Sequence, residues 1–269
     1  MDILELSKNI ELQIEVLKKV QIYINEKYNE YSKYVEDLIN PIKAEDTFIS
    51  IDKIYNSIDN YETLSIYLLA CLKVYEKYTS LGIDKNIYFD TMRCFTRFID
   101  ECKQKTGNYY FDRQWWTYRQ VSMKLFRIGE LEYEMDNNLI SIHIPSDAVL
   151  TRENICKSII SAKKFFKEYY KDYKDSIYIC DSWLLSLKLK DYLDENSNIL
   201  TFQSFFDIVK YDEDNKSFME WLFKTNDVNL DINLLKEDTK LQKKIKQALK
   251  DNVKIGSAFG KLKDEVISL

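Results

Sequence analysis

The sequence predicts an α+β protein, with a helical N-terminal region followed by a mixed sheet flanked by helices. Three observations predict it. Apolar residues recur at helical spacing through the first hundred positions. Two short segments, ELEYEM and LISIHI, then alternate strictly between apolar and polar. From there onward helical and extended stretches take turns, a pattern that packs helices onto a sheet.

The helical part comes first. Ile3, Ile10, Leu17, Ile24, Tyr31 and Leu38 recur every seven residues, with Leu6, Val20 and Tyr34 between several of them. A single unbroken helix over this stretch would span ~50 Å. Gln13 and Lys27 interrupt the second seam, and both an intramolecular packing face and a dimeric coiled coil fit the stripe. Asn40-Pro41 should end the helix, because the residue before proline avoids helical geometry. Helices are expected over about 47–58, 61–80 and 86–105. The glycines of LGID (81–84) and KTGN (105–108) act as stops. The second stop sets the expected domain boundary: a helical domain over 1–106 and a second domain over 107–269.

RQWWTYRQVSMKLFRIG reads as one more helix, with Trp115, Trp116, Arg119, Met123 and Phe126 close to one face and Gly129 as its stop. Next come the alternating segments. A one-residue slip would turn every side chain to the other face, so the apolar faces of the two strands must coincide. Pairing Met135 with Ile140 and Asp136 with Leu139 achieves this. Asn137-Asn138 is left as a two-residue turn, and asparagine tolerates the positive φ such turns need. The same register sets Glu132 opposite His143 and Glu134 opposite Ser141. Thr151 then caps a helix through TRENICKSIISAKKFFKEYY. SIYIC (176–180) reads as a strand, DSWLLSLKLKDYL as a helix, and ILTFQ and FFDIVKY as further strands. Two helices, about 216–223 and 239–250, precede a last strand in KIGSAFGKL.

Composition narrows the function classes. The chain has 269 residues, of which 45% are apolar and 31% charged, so a sizeable core forms under a solvated surface. The net charge of −5 and the pI near 5.3 argue against nucleic acid, whose affinity rests on phosphate contacts. Lys163-Lys164 and the 240–250 helix read as solvated helix faces. Five cysteines without a CxxC argue against a disulfide framework and against a metal site. MDILELSKNIELQ lacks a hydrophobic signal core, and no apolar run approaches the ~18 residues of a membrane span. The expectation is a cytoplasmic protein.

YFDTMRCFTRFIDECKQKTG, YFDRQWWTYRQVSMKLFRIGELEYE, ISIHIPSDA and CDSWLLSLKL resemble a family of bacterial two-domain, acyltransferase-like proteins. In that family a helical N-acyltransferase N-terminal domain precedes a GNAT-like domain. The resemblance is strong over about 88–189 and continuous to about 263. It implies that strand 139–144 leads to a helix, beginning near Thr151, whose N-terminal amides bind coenzyme A pyrophosphate. It also implies that the next strand, 176–180, splays away to receive the pantetheine arm. The superfamily's usual phosphate loop is Gln/Arg-x-x-Gly-x-Gly/Ala, whereas this chain has PSDAVLTREN, without any glycine.

The candidate chemistry centres on His143, the only histidine. A carboxylate across from the imidazole fixes its tautomer and suits a general base, with Glu132 as orienter. A purely structural cross-strand pair fits the same pattern. Cys180, Asp181 and Ser182 lie where ligand groups collect at strand ends. Cys180 reads as a nucleophile or as a buried small residue, and Ser182 as a cap or as a nucleophile. Ser146, Thr151, Arg152, Cys180, Ser182 and Trp183 are the donor-side residues the resemblance implies, with amides near 180–183 facing the oxyanion. Arg113, Trp115, Trp116, Tyr118 and Arg119 form an aromatic and basic cluster that fits either an anionic ligand or interdomain packing. The resemblance implies transfer of an acyl group from an acyl-CoA, acetyl-CoA or longer, to an amine or hydroxyl of a small molecule or peptide. The alternative is a non-catalytic GNAT-like ligand-binding or interaction protein with a degenerate donor loop. No metal, nucleic acid or membrane partner is expected, and the chain should be a monomer or weak homodimer.

Overall fold

A computed structural model describes residues 1–225 and 227–264. The chain divides into two compact units, Met1–Ile128 and Gly129–Leu269. The expected boundary near 106 stands against a stretch, 107–128, whose helix packs with the first unit's helices. The last five residues of the expected second domain lie outside the described residues.

The first unit holds α1 (Ile3–Asn9), α2 (Ile14–Leu38), α3 (Ala44–Tyr55), α4 (Tyr61–Leu81), α5 (Lys85–Met92), α6 (Cys94–Thr106), α7 (Gln114–Val121) and β1 (Leu125–Ile128). The seven-residue stripe is not one helix. Glu11 takes a positive φ of 60° between α1 and α2, and α2 bends at Lys27, where φ is −128°. Lys27 reaches α4 through a 2.6 Å ion pair with Glu62. Val16, Val20, Tyr31, Val35 and Leu38 are buried, so the stripe packs within the unit, chiefly on α4. Gly82 and Gly107 end α4 and α6 in the left-handed conformation, as expected. The expected 86–105 helix is split at Arg93 into α5 and α6. The expected helix after Gly107 stops early. Met123 adopts φ 58°, and LFRI continues as β1, whose Arg127 N–H donates to Thr91 Oγ1 at 2.9 Å.

The second unit contains β2 (Leu131–Asp136), β3 (Leu139–His143), α8 (Arg152–Tyr169), β4 (Ile177–Ser182), α9 (Asn198–Gln203), β5 (Phe206–Asp212), α10 (Phe218–Phe223), α11 (Lys240–Lys250) and β6 (Ser257–Leu262). Its strands stand in the order β2-β3-β4-β6-β5. Only β3 and β4 run parallel; the other pairs are antiparallel, so the sheet is mixed. The hairpin register is the expected one, Met135 on Ile140 and Glu132 on His143. Asn137 and Asn138 turn with φ 42° and 65°.

Two expectations fail here. DSWLLSLKLKDYL forms two short 3-10 helices, Trp183–Leu185 and Leu187–Asp191. Ser182 and Ser186 each accept from the amide two residues on, and the second serine interrupts the first turn. ILTFQ is the helix α9 instead of a strand, capped by Ser197 at the Ile199 amide. Gln203 closes it by donating to the carbonyls of Leu184 and Ser186.

Candidate active site at the β3–β4 splay

The face of each strand residue follows from its partners. Tyr133 pairs with Ile142 and its hydroxyl meets Ser158 Oγ of α8 at 2.8 Å. Ile140 pairs with Tyr178, whose ring lies 6.4 Å from that of Phe166 on α8. Tyr133, Ile140, Ile142, Tyr178 and Cys180 therefore face α8 and are buried. Glu132, Glu134, Ser141, His143, Ile179 and Asp181 occupy the opposite face.

The parallel ladder between β3 and β4 pairs Leu139, Ile140 and Ser141 with Ile177, Tyr178 and Ile179, and ends there. β3 continues to His143 against β2, and β4 continues to Ser182 against β6. Beyond Ser141–Ile179 the two strands part. Each keeps an outer neighbour in the sheet. The expected splay is thus present, between His143 on one lip and 180–182 on the other.

His143 sits at the end of β3 with its Nε2 2.9 Å from Glu134 Oε2. The carboxylate that holds the imidazole is the diagonal neighbour, not the one directly across. Twist brings such diagonals within reach of long side chains. Glu132 is in register with His143 and buried. An ionised carboxylate only accepts, so this contact suits a ring that donates from Nε2.

The donor-side residues separate into two groups. Thr151 caps α8 by accepting from the Asn154 amide at 3.3 Å. Arg152, the first residue of α8, places its guanidinium 5.3 Å from the Phe205 ring centroid. The amides of Arg152 and Glu153 have no intrahelical acceptor, as at any helix start. Ser146 lies in the loop before it, where the amides of Ala148, Val149 and Thr151 already donate to Pro145 O, Glu130 Oε2 and Val149 O. This loop, in place of a glycine-rich one, uses its own donors. On the other lip Cys180 is fully buried, and burial pushes its thiol well above the ordinary range. Of the two readings of Cys180, the buried small residue fits: its side chain lies on the face toward α8. Ser182 is a cap. Trp183 packs in a core cluster with Leu189, Phe218, Phe223 and Ile255. Asp181, named at the strand end but given no role by the sequence, emerges on the same face as His143.

In the first unit, Arg119 lies 4.6 Å over Trp116 and 4.9 Å over Tyr118, and Tyr118 stacks on Phe48. A cavity of about 280 Å³ among Lys163, Lys174, Tyr178 and Lys261 lies at the other end of β4, away from the splay. Among the described residues no group of His, Cys, Asp and Glu is arranged to hold a metal, and no helix is long and apolar enough to cross a membrane.

The model of the GNAT-like C-terminal domain family matches residues 82–262. The model of the N-acyltransferase N-terminal domain matches residues 1–123. No curated protein matches the sequence. Among solved structures, an acyltransferase mutant in complex with octanoyl-CoA is similar at 16% identity and TM-score 0.77, over 96% of this chain and 86% of that one. An acyltransferase in complex with decanoyl-CoA and teicoplanin is similar at 16% identity and TM-score 0.69, over 97% of this chain and 99% of its own. The same identity and TM-score hold for an acyltransferase complex with CoA and 10C-teicoplanin, over 98% of this chain and 99% of that one. At this identity the likeness establishes the fold.

Proposed function

This chain belongs to the family of proteins with a GNAT-like C-terminal domain, and on that footing we propose that it transfers an acyl group from an acyl-CoA thioester to an amine or hydroxyl of a small molecule or peptide. The observation that carries the proposal is the splayed β3–β4 pair with His143 and its carboxylate on one lip. The similar structures were solved with octanoyl-CoA, decanoyl-CoA and teicoplanin, which supports a medium-chain donor and a glycopeptide-sized acceptor.

The donor supplies an activated acyl carbon. The chain's own part is to hold, orient and move a proton. His143 Nδ1 takes a proton from the acceptor, whose nitrogen or oxygen bonds to the acyl carbon as the C–S bond breaks. The proton returns from the imidazolium to the leaving thiolate. Glu134 fixes the ring, with Glu132 as a second carboxylate on that face. Backbone amides of the β4 lip near 180–183 face the developing oxyanion. The pantetheine arm would lie between the parted inner edges of β3 and β4. For the pyrophosphate the fit is to the first amides of α8 with Arg152, Thr151 and Ser146 beside them. The loop's own amides at 148, 149 and 151 do not fit that role, because they are already bonded. The five free cysteines suit a reducing cytoplasm.

That loop favours a second reading, a ligand-binding protein without turnover. Calorimetry with decanoyl-CoA, alongside thiol release with and without acceptors, separates the two. Binding together with thiol release that falls in His143→Ala supports transfer. Tight binding of a ligand without thiol release supports the second reading.

A further inference from the structure

On the lip of β4 that faces His143, Asp181 is the side chain that the proposed mechanism leaves unused. Its place follows from the register. The last paired positions of the parallel ladder are Ser141 and Ile179. His143 and Asp181 stand two residues beyond them, each on its own strand. Side chains alternate, so both lie on the face turned away from α8. The two strands part between them, so a molecule lying in the cleft meets an imidazole from one side and a carboxylate from the other.

The surroundings of Asp181 select the kind of group it would meet. Its side chain is exposed and, among the described residues, makes no hydrogen bond and no ion pair. Its β6 neighbour in register is Phe259, which pairs in turn with Lys210 of β5. Burial raises its carboxyl above the ordinary range, against the pull of Lys210, and Asp212 adds to the rise. Lys210, Asp212 and the buried Cys180 thiol are the titratable groups that bear on it from β5 and β4. An exposed carboxylate at the mouth of the cleft, with no side-chain hydrogen bond of its own, takes a cation readily. The half-buried Ile179 and Phe259 flank it on the same face and give an apolar bed for the acceptor's carbon skeleton.

We propose that Asp181 is the acceptor-binding residue of the cleft: it pairs with the ammonium form of a primary amine and holds its nitrogen toward His143. This rests on the acyl-transfer reading and narrows it, from amine or hydroxyl to an amine that arrives charged. The ammonium gives one proton to His143 and becomes nucleophilic while its remaining N–H groups stay on the carboxylate. Of the two protons lost on amide formation, one ends on the thiol of coenzyme A and the other in solvent.

Binding of paired probes tests it, whatever the natural acceptor is. Tyramine and tyrosol, phenylethylamine and phenylethanol, and glycinamide and glycolamide differ in amine against hydroxyl. Saturation-transfer NMR on the protein with decanoyl-CoA should show tighter binding of the amine in at least one pair. Asp181→Asn should weaken that amine about tenfold or more and its alcohol by less than about twofold. Asp181→Glu should recover part of the preference, and melting followed by circular dichroism reports whether each variant is folded. A wild-type protein that prefers no amine over its alcohol overturns the proposal, as does a preference that survives Asp181→Asn. If the amine preference is present and lost in Asp181→Asn while decanoyl-CoA never binds, the acyl-transfer reading falls and Asp181 stands as an amine site.

Discussion

Replacing Glu134 by Gln tests which carboxylate holds the imidazole. The bond to His143 Nε2 is 2.9 Å, a charge-assisted length, and the two side chains are 27% and 19% exposed. Hydrogen bonds to charged groups contribute about 1.5–3 kcal/mol, and partial exposure places this one near the lower end, about 1.5 kcal/mol. If that energy holds the ring in its working tautomer, its loss lowers turnover about tenfold, since about 1.4 kcal/mol is one decade. His143→Ala should lower it by about 10²–10⁴, the usual range for a general base. Turnover is read as thiol release from decanoyl-CoA in the presence of an acceptor amine. The tautomer is read directly, because a chain with one histidine gives one imidazole signal set in ¹⁵N-correlated NMR. The wild type should show the proton on Nε2, and Glu134→Gln should mix the two tautomers while Glu132→Gln should not. A wild-type ring protonated on Nδ1, or a ring that responds to Glu132→Gln and ignores Glu134→Gln, refutes the assignment.

Three further outcomes follow from the same geometry. Gly256 has φ 71°, and a Cβ there would lie 2.5 Å from Asp212 O and 2.8 Å from Glu213 Cα; Gly256→Ala should cost about 3 kcal/mol in urea unfolding, and a loss under about 1 kcal/mol contradicts the β5–β6 geometry. Burial holds the Cys180 thiol protonated, so iodoacetamide at pH 8 should label the half-buried Cys156 first and leave Cys180 unmodified until the protein unfolds, as peptide mass mapping would report. The Asp181 carboxyl titrates higher in the folded than in the unfolded chain, so its ionisation counts against the fold: the penalty is absent below the unfolded value of about 3.9 and complete above the raised folded value. Asp181→Asn should therefore melt higher than wild type at pH 7, with the gain fading as pH falls through that window; a variant that melts lower at pH 7 and equally at pH 4 reverses the sign.

The sequence carried those parts of the fold that local rules decide. Strict alternation in ELEYEM and LISIHI set the hairpin to the residue, because a slip would have put Ile140 and Ile142 in water. A cap was legible where a side chain with one purpose preceded a periodic run, as at Thr151. Short apolar runs were not. ILTFQ satisfies a strand and a helix equally over five residues, and the Ser197 cap and the Gln203 bonds to the 183–185 turn decide for helix. Segment 113–129 failed for a different reason: Met123 takes a left-handed conformation that no glycine or asparagine announces. At the site, the facing positions of Glu132 and His143 were legible, but the bonded carboxylate was not. Register fixes Cβ positions, whereas the partner of a long side chain depends on twist and rotamer.

The same distinction bears on why the cleft can form at all. A sheet resists losing a ladder in its middle, since every buried N–H and C=O left unpaired carries a penalty. Here the ladder is lost only between β3 and β4. Past Ser141 and Ile179, β3 stays paired with β2 to Glu132–His143, and β4 stays paired with β6 to Ser182–Ala258. Two antiparallel pairs, each stable on its own outer side, hold the lips apart. Pro145 removes a donor just beyond β3, and Ser182 diverts the chain into a 3-10 turn just beyond β4, so neither strand can extend across the gap. The gap that results lies between His143 on one strand and Asp181 on the other. A ligand with an amide-bearing arm suits the gap between the strands, and a cationic group between the lips suits Asp181. The two requirements together describe a pair of substrates better than either describes a lone ligand.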